Sequence, residues 1–287
     1  MSKTSVNFKK NRLNLSYEVF PPKKDDEFEN VYTLVSELSR MNPHFISVTN
    51  GAGGSKQRKT LDIVDYIQNR LQVTALSHMT CVGFTRKDLD AYTSALMDCN
   101  VRNVLALRGD RPQSMSDEQF DAREFFYAVE MIRYLKEHTD LNICGACYPE
   151  KHFEAPSLEE DLKHMKEKQD AGAQFFISQL FFDNACFYRF MEKAGSAGIV
   201  NPVCAGIMPV TSAKQLGTTV NLSGSSVPKA LSDIIARYGD NPEEMKKAGM
   251  DYAIRQILDL RKNGCDNIHI YTMNKASVAQ YITSNIL

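Results

Sequence analysis

Short apolar and β-branched runs alternate with longer amphipathic stretches along the whole chain. Runs at 15–20, 45–49, 73–78, 104–107, 143–148, 175–181, 203–207 and 268–271 predict eight strands, each short and rich in the residues that fill a buried sheet. Apolar residues at helical spacing predict helices over 27–40, 61–70, 86–99, 118–138, 158–171, 185–197, 213–220 and 276–285. Two more, 229–238 and 243–262, enlarge the seventh crossover. Gly172, Gly198, Gly239 and Gly264 stand just past helical runs, where left-handed caps are expected. Such alternation builds parallel sheets. Eight units in about 250 residues match a single α/β domain over residues 1–287, a (β/α)8 TIM barrel. An open doubly wound sheet of the same strands is the alternative that pattern leaves standing.

A barrel demands that chemistry collect where strands end and βα loops begin. Polar residues do gather there: Glu18, Thr49-Asn50-Gly51, His78, Arg108-Gly109-Asp110, Tyr148 with Glu150 and His152, Gln179 with Asp183, Gln215 after Pro209, and Lys275 after Tyr271. The opposite ends open on plainer residues such as Leu15, Phe45, Asn103 and Asn142. Glu18 interrupts an apolar run that stops at Pro21-Pro22. Two-residue alternation puts Leu15, Tyr17 and Val19 on one face and Ser16, Glu18 and Phe20 on the other. If the first set meets the helices, Glu18 points into the barrel near its top, where loss of water would suit it to act as a general acid. The plainer reading is an ion pair with a barrel arginine such as Arg108. His78 reads by itself as a satisfied core histidine. Asp161, His164 and Lys168 share a helix face, as a ligand contact or as a solvated stripe. The glycines of 50–54 lack both the G-x-G-x-x-G and the P-loop spacing.

Composition narrows the partners. With 34 Lys+Arg against 35 Asp+Glu, a net charge of −1 offers no basic field for nucleic acid or anionic lipid, so small molecules or protein are expected. No apolar run approaches the ~20 residues of a membrane span, and a cytoplasmic protein is expected. Seven scattered cysteines read as reduced core residues. Cys144 and Cys147 would face opposite sides of a strand, out of reach of one metal ion, and no H-E-x-x-H spacing occurs, so no metal site is expected. No G-x-S-x-G elbow marks a serine nucleophile.

Taken together, nine segments resemble the methylenetetrahydrofolate reductase family, in order and from about residue 13 to the C-terminus: Tyr17 to Pro22, Ser47 to Gly51, His78 to Cys81, Leu105 to Asp110, Tyr148 to Glu150 with His152, Asp170 to Ala173, Gln179 to Asp183, Gly206 to Pro209 and Tyr271 to Asn274. The resemblance implies a (β/α)8 barrel that carries FAD at the C-terminal strand ends, with NADH or NADPH as reductant. It implies reduction of 5,10-methylenetetrahydrofolate to 5-methyltetrahydrofolate by ping-pong hydride transfer, within one-carbon metabolism and methionine biosynthesis. Glu18 falls on the acid that protonates folate N10, and Asp110 on the carboxylate beside flavin and pterin. Flavin contacts fall on Thr49, Asn50, Ala52, His78, Arg108, Gly109, Asp110, Ala128, Tyr148, His152, Asp161, His164 and Lys168. Folate contacts fall on Gln179, Gln215 and Lys275. A homo-oligomer is the expected assembly. The chain departs from the family pattern at Lys275, where an arginine is usual, at Glu167, which replaces a basic residue, and after Gln215, where Leu-Gly-Thr-Thr lacks an aromatic. The segment 111–126 is longer than in compact members.

Two alternatives stay open at this stage. The electrons could come from a partner subunit or an iron–sulfur donor, or the chain could be a non-catalytic subunit. Retention of Glu18, Asp110 and Gln179 together speaks against the last.

Overall fold

The computed structural model describes residues 5–22, 24, 27–50, 54–111 and 115–287, with the backbone alone for 54–56. Eight strands form: β1 (Asn14–Val19), β2 (Phe45–Val48), β3 (Ala75–Thr80), β4 (Asn103–Leu107), β5 (Asn142–Cys147), β6 (Phe175–Ser178), β7 (Val203–Ile207) and β8 (Asn267–Tyr271). Each pairs in parallel with the next, and β8 pairs with β1, so the sheet closes into a barrel and the open doubly wound alternative falls. The alternation in β1 runs as expected. Tyr17 points outward, its hydroxyl 2.6 Å from Thr283 Oγ1, while Ser16 on the inner face lies 2.8 Å from His269 Nδ1.

Phe45, Leu76, Leu105, Cys144, Phe175, Ile177 and Cys204 pack as one cluster inside the barrel, whereas Cys147 belongs to the layer between strands and helices. Cys144 and Cys147 thus occupy different layers, as the strand period requires. Removing each large side chain from water contributes about 1.5–3 kcal/mol. The floor of the barrel is less plain than its sequence suggests. Asn142 Nδ2 donates to Asn103 Oδ1 at 2.9 Å and Asn14 Nδ2 to Asn267 Oδ1 at 2.8 Å. The N-terminal segment docks there, Val6 N–H donating to Asn103 Oδ1 at 2.8 Å and Phe8 set edge-on to Phe175.

The helices are α1 (Phe28–Ser39), α2 (Gly54–Asp65), α3 (Arg86–Asp98), α4 (Asp117–Asp121), α5 (Ala128–His138), α6 (Leu158–Ala171), α7 (Asn184–Ser196), α8 (Ala213–Ser223), α9 (Lys229–Tyr238), α10 (Pro242–Lys262) and α11 (Ala276–Ile286). The seventh crossover carries α8, α9 and α10 and is enlarged as expected. Four expectations need correction. The single helix expected over 118–138 is two, because Glu130 reaches back to the N–H groups of Phe126 and Tyr127 and starts α5 afresh. Strand β6 ends at Ser178, because Leu180 and Phe182 turn away to build a separate cluster with Met208, Leu216, Leu231 and Met245 under the enlarged crossover. Strand β3 runs two residues later than expected, since Gln72 sits at φ 55° and Val73 N–H bonds back to Ile67 in the preceding turn. Gly239 is right-handed at φ −58°, unlike Gly172, Gly198 and Gly264, which all take positive φ. Among the described residues no helix is long and apolar enough to cross a membrane.

Candidate active site

The C-terminal mouth of the barrel holds a cavity of about 410 Å³ whose wall includes Glu18, Thr49, Asn50, His78, Arg108, Gly109, Asp110, Tyr148, His152 and Gln179. Ten of the residues singled out in the sequence therefore share one wall. Glu18 keeps 20% of its side chain exposed and does not pair with Arg108, which forms a two-pronged salt bridge with Glu154 instead. Its Oε2 faces two imidazoles, 3.6 Å from His78 Nε2 and 3.8 Å from His269 Nε2. Neither Nε2 has a hydrogen-bond partner among the described residues, and neither touches solvent. His78 is therefore not the satisfied core histidine its sequence context suggests.

Burial depresses the pKa of His78 to about 4, with Glu18 opposing the shift and His269 adding to it. An unfolded chain would bind the proton at the ordinary value near 6.5, so this group's contribution is intact above 6.5 and is lost as pH falls toward 4. We expect His78→Gln to remove roughly 2–3 kcal/mol of the acid-induced loss in unfolding free energy between pH 7 and 4.5. Denaturant titrations at the two pH values would reveal this, and an unchanged pH slope would refute it.

The β4 loop is set by backbone geometry. Gly109 has φ +79°, and a Cβ there would lie 2.8 Å from Thr80 Cβ. Thr80 is itself fixed, its hydroxyl donating to Val82 O at 2.9 Å. The close approach lets Arg108 and Asp110 flank the cavity on either side of a bare backbone. The pairing with Glu154 raises the pKa of Arg108 and lowers that of Glu154. At β5, Tyr148 packs edge-on to His152, their centroids 4.8 Å apart, and burial raises the tyrosine pKa. His152 is lowered, by burial first and by the Arg108 charge second. Its Nδ1 accepts from Glu154 N–H at 3.2 Å, so the ring proton of the neutral form sits on Nε2.

A sequence model of the family described as methylenetetrahydrofolate reductase matches residues 3–287. The chain belongs to the methylenetetrahydrofolate reductase family. Among its relatives is the 5,10-methylenetetrahydrofolate reductase of Pectobacterium carotovorum subsp. carotovorum, 33% identical over 271 residues that cover 94% of this chain and 89% of that protein. The protein of the same description from Escherichia coli K12 is 32% identical over 271 residues, covering 94% and 90%. An uncharacterised Clostridium thermocellum protein, solved as binding two copies of 5-methyl-5,6,7,8-tetrahydrofolic acid, superposes with a TM-score of 0.61 at 15% identity, covering 96% of this chain and 94% of that one. That likeness is one of fold.

Other family positions stand back from the cavity. Asp161 is buried and accepts from His152 N–H at 2.8 Å, so it positions the β5 loop. Lys168 spends one ammonium proton on Ala146 O at 2.9 Å behind the same wall, and burial lowers its pKa against the pull of Asp161. Ala128 is buried at the start of α5. His164 is not brought to the cavity. It is 56% exposed and pairs with Glu167 at 3.1 Å. Gln215 accepts at Oε1 from Thr211 N–H and donates from Nε2 to Pro209 O, while Lys275 donates to Thr211 Oγ1 at 2.9 Å. Both therefore brace the segment after β7, and neither is part of the cavity wall. Ala52 lies outside the described residues.

Sequence reasoning missed His269, the loop residue Phe153, and Leu222 and Ser223 at the end of α8, which also face the cavity or its acid. For His269 the signal was present. It sits between Ile268 and Ile270, so alternation turns it inward, and the register pairs it with Ser16.

Proposed function

We propose that this family member reduces 5,10-methylenetetrahydrofolate to 5-methyltetrahydrofolate, with FAD as bound cofactor and NADH or NADPH as reductant, each substrate in turn using the same cavity. The observation that carries the reading is Glu18, a carboxylate at a barrel mouth with two unpartnered imidazole nitrogens on one side and a cavity on the other. The chain's residues fit a flavin. A second cavity of about 400 Å³ shares Arg108, Gly109, Asp110 and Phe153 with the first, which suits a long two-part ligand. Asn50 Nδ2 and His78 Nε2 are buried without partners at the wall of the first cavity, where ring carbonyl and nitrogen atoms would satisfy them. Gly109 keeps the wall low, Tyr148 offers a ring face, and Arg108 stands at the wall of both cavities with its fork held by Glu154.

Bound FAD would supply the hydride chemistry, taking a hydride from the nicotinamide and delivering it to the one-carbon unit. The residues of the chain supply the rest. Glu18 donates a proton to N10 of the folate and so opens the methylene bridge to the N5 iminium that accepts the hydride. His269 sets the proton register at Glu18. When Ser16 donates to Nδ1, the Nε2 proton faces the carboxylate; when Ser16 donates to Ile268 O, Nδ1 carries the proton and Nε2 presents a lone pair to the acid. His78 stays neutral at physiological pH, so no imidazolium competes with the substrate for Glu18. Gln179 commits Oε1 to Leu180 N–H, which leaves its amide protons for the pterin edge. Asp110, exposed at the junction of the two cavities, places a negative charge beside both ligands. Lys275 keeps ammonium protons for the carboxylates of the folate's glutamate.

An anaerobic titration tests the reading. The purified protein is expected to be yellow, to bleach with NADH or NADPH, and to recover its colour on addition of methylenetetrahydrofolate. A protein that takes up no flavin, or whose bleached form ignores the folate, would sink the assignment.

A further inference from the structure

The connection between β4 and α5 holds three arginines at the second cavity, and two of them are neutralised within the chain. Arg108 pairs with Glu154 and Arg111 with Asp117. Arg123 has no carboxylate within ion-pair distance among the described residues. Its guanidinium carbon lies 3.4 Å from the ring centroid of Phe120 and 5.1 Å from that of Phe126. Rings can cover the face of a guanidinium, but its N–H groups point outward in the plane and still need acceptors. Nε and Nη1 are out of solvent and have none. The residue itself lines the second cavity. A buried charged donor without a partner is expensive, and folded chains keep one where a ligand or function compensates.

The second cavity adjoins the first, so a flavin ring at the barrel mouth would place the other half of its dinucleotide here. That half carries a diphosphate and an adenine. The exposed rings of Phe126 and Tyr127, 41% and 62% accessible, offer the base a surface. We propose that Arg123 is a specificity residue for the nucleotide half of the flavin: its unpaired, ring-stacked guanidinium receives the diphosphate and selects FAD over shorter flavins. The inference rests on the flavin reading above. It gives the long 111–126 segment a task, since Arg123, Phe120 and Phe126 all belong to it.

FAD affinity should fall without loss of stability in Arg123→Met, which keeps an apolar stem against Phe120 and removes the charge. Flavin-free protein is titrated with FAD and with riboflavin, following flavin fluorescence, and its thermal midpoint is recorded without ligand. The FAD dissociation constant is expected to rise roughly 10- to 100-fold, the worth of hydrogen bonds to a charged group. Riboflavin should bind within about twofold of wild type, because it lacks the diphosphate. The ligand-free midpoint should hold or rise by roughly 2–4 °C, because a costly orphan charge is gone. Arg123→Lys, which keeps the charge without the planar fork, should fall between the two proteins in FAD affinity. Unchanged FAD binding in Arg123→Met, or equal losses for FAD and riboflavin, would overturn the proposal. A wild-type protein that binds neither flavin would instead remove the flavin reading on which it stands.

Discussion

Glu18→Gln should slow reoxidation of the reduced flavin by methylenetetrahydrofolate about 10³-fold, within the usual worth of a positioned proton donor, while its reduction by nicotinamide stays within about threefold. The substitution is isosteric. The amide can still face His78 and His269 across the same 3.6 and 3.8 Å, so the cavity keeps its shape and loses only a titratable proton. Only the folate half-reaction opens a carbon–nitrogen bond whose nitrogen must be protonated. Anaerobic stopped-flow absorbance separates the two half-reactions. Comparable losses in both would mean that Glu18 shapes the cavity and donates no proton. Folate affinity adds a second readout, because a lost acid lowers the rate at saturation, whereas a lost contact raises the concentration needed to reach it.

Gly109→Ala should also be damaging, and for a backbone reason. At φ +79° an alanine is strained by roughly 1–2 kcal/mol before any contact is counted. Its methyl would then meet Thr80 Cβ at 2.8 Å and Thr80 Cγ2 at 3.1 Å, atoms of a strand residue that cannot swing aside. Relief has to come from the β4 loop, which carries Arg108 and Asp110. We expect flavin affinity to fall about 10- to 100-fold, an amount set by the clash and strain together. Adding Thr80→Gly removes the clash and leaves the strained φ, so the double variant should recover part of the affinity. Fluorescence titration of the single and double variants decides the matter, and wild-type affinity in Gly109→Ala would show that the close approach is unnecessary.

The barrel was legible because its signal is periodic and repeated. Alternation in β1 placed Tyr17 and Glu18 on their correct faces before any contact was known. What local pattern could not carry was set by tertiary structure. The apolar run 175–181 reads as one strand, yet its second half leaves the sheet because the enlarged crossover supplies a second surface for Leu180 and Phe182. The residues between α4 and α5 are compatible with helical spacing, and there the capping carboxylate of Glu130 prevails. His164 shows how coarse a shared face can be. At about 100° per residue it lies about 60° from Asp161, whereas Lys168 lies only about 20° away. Asp161 is accordingly buried and His164 sits in water. Alternation turns His269 inward, but its place beside Glu18 depended on a pairing between the two ends of the chain, and Arg123 depended on the lack of a partner, which no sequence pattern displays.

That pairing has a consequence for biosynthesis. The acid rides on β1, yet one of its two imidazole neighbours arrives with β8, some 250 positions later. A polypeptide growing on the ribosome therefore holds Glu18 without His269 beside it until the eighth strand emerges and pairs with the first. Closure of the sheet and the gathering of both imidazoles around Glu18 are one event.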